Sequence, residues 1–296
     1  MFYSANNAKL QVNGNEILAS NAELSLGTSL QPRYTINQRH TSDYAATNGV
    51  GGQLTFNYFI TGRDYFKSFI SGQGEIPLTS SETLSGNFGG LNFDSGYLTS
   101  YSVNFGPNSP AVANATVSFF DQLDGEFSPT TEAAPADTQV LNFKQAVVSH
   151  YIPIENETVS GRVDEFVAGT YNYQSEVKPV YLMNETKPSS VTFGPKNTHM
   201  NFETDNPTGY LPVSGNIARI SVDLKNSSNT VVENFTCSGV IRQRNLGAAV
   251  GDYVKQTINI TQASTQSTNV FVADIIDNLG RIGYVGAGNI GSEGNI

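Results

Sequence analysis

The chain has 296 residues, 38% hydrophobic and only 14% charged, with a formal net charge of −10 and a pI near 4.7. Its length suits one large or two ordinary domains. The acidity is shared, 12 acidic against 6 basic residues up to position 145 and 14 against 10 beyond it, and this excludes a basic face for gripping nucleic-acid phosphates. A single cysteine, Cys237, excludes an intrachain disulfide and a thiol-rich zinc site.

Met1 is followed by FYSANNAKLQ, with neither a basic start nor an apolar core, so no signal peptide is expected. No window reaches the roughly 18 apolar residues of a membrane helix. The first turn signal is VNGNE at 12–16, followed by strand-like EILASNAELSLG. TNGVGG at 47–52 is the next turn signal. Leu54, Phe56, Tyr58 and Ile60 then alternate with Thr55, Asn57, Phe59 and Thr61, the period of a half-buried antiparallel strand. GRDYFKSFI, 62–70, places Tyr65, Phe66, Phe69 and Ile70 on one face of a two-turn helix.

A hairpin is expected over 97–120. Tyr97, Tyr101, Val103 and Phe105 share one parity, FGPNSP at 105–110 turns the chain, and Ala115, Val117 and Phe119 share the parity of the return strand. DGEFSPTTEAAPADTQ, 124–139, is poor in apolar residues and holds two prolines, which marks a boundary. Ile220, Val222 and Leu224 alternate as a strand, and LKNSSN at 224–229 is a turn. Cys237, in FTCSG, is expected to be half-buried on a strand. ADIIDNLGRIG, 273–283, is a weaker helix candidate, and the glycine-rich tail after it is expected to be mobile.

The halves also repeat in element order. FDSGYLTSYSVNFGPNSPAVANATVSFFDQ and FTCSGVIRQRNLGAAVGDYVKQTINITQ each run through Ser-Gly, a strand, a glycine-bearing turn and an alternating strand ending in Gln.

Reactive chemistry is sparse. His40, His150 and His199 are far apart; His40 has Asp43 nearby, but no nucleophile elbow accompanies it, and His199 reads as a strand residue. The acid pairs Asp164–Glu165, Glu155/Glu157 and Glu203/Asp205 read as solvated edges or turns, and a chain without tryptophan lacks the usual sugar platform. DLKNSSNTVVE, 223–233, lacks the central glycine of a calcium loop and has Lys225 at a ligand position. No enzyme, cofactor or metal site is expected.

The strand SGYLTSYSV, its Gly/Pro turn and the closing strand NATVSFF resemble the last hairpin of the tail-tube fold of tailed bacteriophages. AELSLGTSLQPRYTINQRHTSDYAATNGVGGQLTFNYFITGRDYFKSFI resembles that family's first long strand, extended loop, returning strand and short helix. The resemblance implies an all-β fold: two tandem antiparallel β-sandwich or half-barrel domains, 1–123 and 143–296, joined by a linker at 124–142, with a short flanking helix and a flexible C-terminal tail. It implies a virion structural protein, made in the host cytoplasm, that self-assembles into stacked rings of the tail tube. Those rings are trimeric (pseudo-hexameric) or hexameric, and they meet other tail proteins: terminator, baseplate, and a sheath if the tail contracts. DNA would cross the negative lumen without specific binding. The resemblance also implies long loops around 31–52 and 171–197 that reach the next ring in the stack, which makes Arg33, Arg39 and Asp43 candidates for contacts between rings. The alternatives are a distal-tail or baseplate hub ring that caps the tube, and a receptor-binding tail module.

Overall fold

The computed structural model describes residues 9–27, 30–34, 43–46, 51–72, 83–106, 109–120, 123–128, 146–154, 157–162, 166–183, 185, 187–204, 217–228, 230–250 and 254–262. These residues form antiparallel strands and one short helix, so the fold is all-β. Packing divides the chain into two compact units. The first takes Met1–Val147, Ala168–Thr198 and Asp223–Phe235; the second takes Val148–Val167, His199–Val222 and Thr236–Ile296.

The first unit begins with β1 (Leu10–Val12) and β2 (Asn15–Glu16), joined by a two-residue turn. Asn13 (φ 47°) and Gly14 (φ 75°) are both left-handed there, the demand that makes Asn-Gly the favoured hairpin pair. β3 (Ala19–Gly27) pairs with β6 (Gly51–Phe59), and β6 pairs with β9 (Val112–Phe119). β9 in turn pairs with the long β8 (Leu91–Phe105). On its other edge β8 forks: its start pairs with β7 (Leu84–Phe88), which carries β1, and its end pairs with β12 (Phe166–Val180), which lies beside β13 (Ser190–Thr204). A separate two-stranded ribbon joins β4 (Leu30–Arg33) to β5 (Asp43–Ala46).

The alternation read from the sequence holds along β6, where Leu54, Phe56 and Tyr58 are buried, with Ile60 just beyond its end, and along β9, where Ala115, Val117 and Phe119 are buried. In β8 the parity changes. Tyr101, Val103 and Phe105 point inward as expected, but Leu98 rather than Tyr97 is buried before them. The cause is a bulge at Thr99, where the register to β9 steps from Leu98↔Val117 to Ser100↔Thr116. One extra residue moves the side chains just before it to the opposite face, and a second register shift, between Phe93 and Gly96, returns Phe93 to the core.

Helix α1 (Tyr65–Gly72) starts three residues later than the spacing predicts. Its fully buried Phe66 meets Phe56 at 5.4 Å, Tyr58 at 6.1 Å and Tyr101 at 6.3 Å between ring centroids. The aromatic layer continues from Tyr101 to Tyr171 (6.2 Å), then to Phe235 (5.5 Å) and Phe105 (5.4 Å). At 8 residues the helix is too short to be stable alone, so this packing holds it in place.

Elsewhere in the unit, Phe93 and Phe119 stack at 4.8 Å with planes 9° apart. Glycines make the room. A Cβ on Gly52 would strike the Phe119 ring, one on Gly86 the Phe93 ring, and one on Gly96 both Phe93 and Val117. Strand glycines cost backbone order, and here large rings on neighbouring strands cover them.

The second unit holds β10 (Ala146–Ile154), β11 (Glu157–Arg162), most of β14 (Ile217–Lys225), most of β15 (Val231–Gly247) and β16 (Lys255–Gln262), with the end of β13. The order is β11-β10-β14-β15-β16-β13. Met200, Phe202, Ile220, Val222, Ile241, Ile258 and Ile260 are its buried side chains, again at period two. Cys237 is fully buried rather than half-buried, and its thiol reaches the Ile260 carbonyl at 3.7 Å. The 171–197 segment, expected as a loop, is instead a β-hairpin of two 15-residue strands, β12 and β13. The candidate helix at 273–283 lies outside the described residues.

Candidate functional site

Two features stand out as more than core: a polar node inside the first unit, and an open strand edge with apolar side chains on its surface. The node centres on Asp64, only 3% exposed and the one buried charged side chain among the described residues. It caps α1: its Oδ1 accepts the Lys67 N–H at 2.8 Å, and its carbonyl accepts both the Ser68 N–H (3.1 Å) and the Ser68 hydroxyl (2.9 Å). Its Oδ2 accepts the Tyr58 hydroxyl at 2.6 Å. The Asp64 backbone N–H donates to Glu233 Oε2 at 2.7 Å across a sequence separation of 169.

Burial pushes the Asp64 carboxyl above its ordinary pKa, and the Glu233 charge adds to this; the Tyr58 hydroxyl and the Lys67 N–H pull it back in part. Burial, then the Asp64 charge, holds the Tyr58 hydroxyl well above its ordinary value, so it remains a donor. The Tyr101 hydroxyl is fully buried near the same groups and makes no hydrogen bond of proper geometry among the described residues. Beside the node lies a groove of about 220 Å³ lined by Glu16, Ile60, Arg63 and Tyr65, among others. Each carboxylate oxygen holds one partner, Oδ1 the Lys67 N–H and Oδ2 the Tyr58 hydroxyl, which is the chemistry of a structural joint. Sequence reading overlooked Asp64; an aspartate directly before the first apolar-periodic residue is the signal that could have found it.

Replacing Asp64 by alanine removes a cap worth about 1 kcal/mol and strands the Tyr58 hydroxyl at about 1–3 kcal/mol, so a loss of roughly 2–4 kcal/mol is expected. Urea unfolding midpoints check this; a loss below about 1 kcal/mol would contradict the assigned geometry.

Among the described residues, no histidine gathers partners for catalysis. His199 lies in β13 opposite Thr261, and burial, then the Arg242 charge, lowers its pKa. His40 lies outside the described residues. His150 lies in β10 opposite Gly161. Glu203 forms an ion pair with Lys255 at 3.4 Å. Asp164, Glu165, Glu155 and Asp205 lie outside the described residues. Of the rejected calcium-loop stretch, Glu233 serves Asp64, and Asp223 accepts a hydrogen bond from the Asn234 amide. No metal-holding cluster occurs among the described residues.

The second feature is β3. It has nine residues, and among the described strands it pairs on one side only, with β6. Its bulge is confined to Ser20, leaving Asn21–Gly27 regular. Leu26 on it is 50% exposed. The β4–β5 ribbon brings Arg33 and Asp43 together as register partners, whereas Arg39 lies outside the described residues. At the turn of the β12–β13 hairpin, Leu182 is 58% and Met183 95% exposed. No family model matches this chain, and no characterised protein sequence is significantly similar to it.

Proposed function

We propose that this protein is a virion structural protein that self-assembles into the stacked rings of a phage tail tube. One observation carries the reading furthest: β3 is a nine-residue edge strand with a regular outer border and an exposed leucine. Proteins that stay single blunt such edges with lysine, proline or a mid-strand bulge, because unpaired N–H and C=O groups recruit another strand. β3 has neither lysine nor proline; its one charged residue is Glu23. A neighbouring copy completes this border in a ring. The β12–β13 turn and the β4–β5 ribbon, with Arg33 and Asp43, supply surface for contact along the stack. With few charges to desolvate, such burial is cheap. The net charge of −10 suits a lumen that repels the phosphate backbone, so that DNA slides through.

The test is Leu26→Lys. A lysine on the edge should raise the concentration needed for assembly at least about tenfold, equivalent to roughly 1.4 kcal/mol per contact, while leaving folding within about 0.5 kcal/mol. Sedimentation velocity across a concentration series reads the first, and thermal unfolding the second. Unchanged assembly in the variant would remove β3 from the interface.

A further inference from the structure

The Asp64 node is more than a helix cap, because it ties two segments that are distant in the chain. α1 begins on Asp64, and the N–H of that same residue is held by the carboxylate of Glu233 in β15. Glu233 is fixed from its own side, since its Oε1 accepts the Asn234 N–H at 2.9 Å. Two carboxylates thus meet at one joint, one of them buried. We infer that Asp64 is a proton-operated latch between helix α1 and strand β15, which holds more tightly when the Asp64 carboxyl is protonated.

The groups that face Asp64 determine the sign. From β6 comes the Tyr58 hydroxyl, from β8 the buried Tyr101 hydroxyl, and from β15 the Glu233 carboxylate. From α1 comes the Lys67 N–H, while the Lys67 ammonium lies 5.5 Å from the Tyr171 ring centroid. Arg63 precedes Asp64 in the chain and is exposed. Among the described residues, the Asp64 carboxylate accepts from the Tyr58 hydroxyl and the Lys67 backbone N–H. Protonation keeps an oxygen for the Lys67 N–H and relieves the repulsion with Glu233. The Tyr58 hydroxyl can turn to accept from the new carboxylic acid.

The sign follows from linkage. The folded-state pKa of Asp64 is raised, so its ionisation opposes closure of the joint at neutral pH. That cost is lifted as pH falls through the raised value, and it is fully absent below the ordinary aspartate value of about 3.9. The latch therefore tightens in the window between the two.

Hydrogen exchange of the full-length chain, kept below its assembly concentration and read by fragment mass spectrometry, tests this. After correction for intrinsic rates, protection of the Asp64 and Lys67 amides should rise at least about threefold between about pH 7 and about pH 4.5. Asp64→Asn keeps a capping oxygen and cannot ionise, so its protection should stay flat over the same range. Glu233→Gln removes the neighbouring charge and should reduce the rise while α1 remains folded. Flat or falling protection in the wild type would overturn the proposal, as would a rise in Asp64→Asn equal to that of the wild type. A full-sized rise in Glu233→Gln would remove β15 from the latch. None of these readings depends on whether the chain forms tubes.

Discussion

Phe66→Ala should destabilise the first unit by about 3–5 kcal/mol, the largest single-truncation loss expected among the described residues. Phe66 is fully buried, the only such side chain among those described in α1. Its ring touches those of Phe56, Tyr58, Tyr65 and Tyr101, so truncation opens a cavity at the centre of the aromatic layer. The neighbours cannot collapse into the gap easily: Phe56 and Tyr58 are set by the β6 register, and Tyr101 by β8. A helix of two turns has little stability of its own, so losing Phe66 should also release α1. Far-ultraviolet circular dichroism would change little, because strands dominate. The denaturation midpoint and exchange of the Ser68 amide should report the loss. A cost below about 1.5 kcal/mol would mean that Phe66 does not fill the core as described.

The second large effect is expected at Gly96. An alanine Cβ there would lie 2.6 Å from Phe93 Cε2, 2.7 Å from Val117 Cγ1 and 2.8 Å from the Leu84 carbonyl oxygen. Two of these are side-chain atoms, but the third is backbone and belongs to the β7 pairing at Leu84↔Gly96. Relief requires either displacing β7 or unstacking Phe93 from Phe119. Overpacking of this kind costs about 1–3 kcal/mol, and the backbone contact places Gly96→Ala at the upper end or beyond. Phe93→Leu in the same chain provides the control. A smaller side chain should recover part of the loss, giving a favourable coupling in a double-mutant cycle. Simple additivity of the two changes would contradict the proposed clash.

Much of the local structure was legible in the sequence. Alternation located the buried faces of β6, β9 and β14 residue by residue, because a strand with one wet face imposes period two on its side chains. Asn-Gly at 13–14 announced its turn for an equally local reason. What escaped was non-local or register-breaking. The bulge at Thr99 leaves no mark in composition, yet it exchanges Tyr97 for Leu98 in the core. The glycines at 52, 86 and 96 read as weak strand residues, and only the rings on neighbouring strands explain them. Segment 171–197 is a loop only by the tail-tube resemblance, whereas its buried Tyr171, Tyr173 and Ser175 alternate along a strand. Asp64 carries no signal of its partner, and Glu233 reads only as the closing acid of a rejected calcium loop, since a joint spanning 169 positions has no local signature. The ribbon pairing of Arg33 with Asp43 gives those two residues a shared location; sequence alone had offered only their rarity in a charge-poor chain.

The proposed function rests on the free border of β3, and one measurement tests it most directly. Purified protein should be concentrated stepwise and imaged in negative stain at each step. The account predicts rings with a central hole at intermediate concentration and stacked tubes above it, with Leu26→Lys delayed in both. A wild-type chain that remains monomeric at every concentration would contradict it.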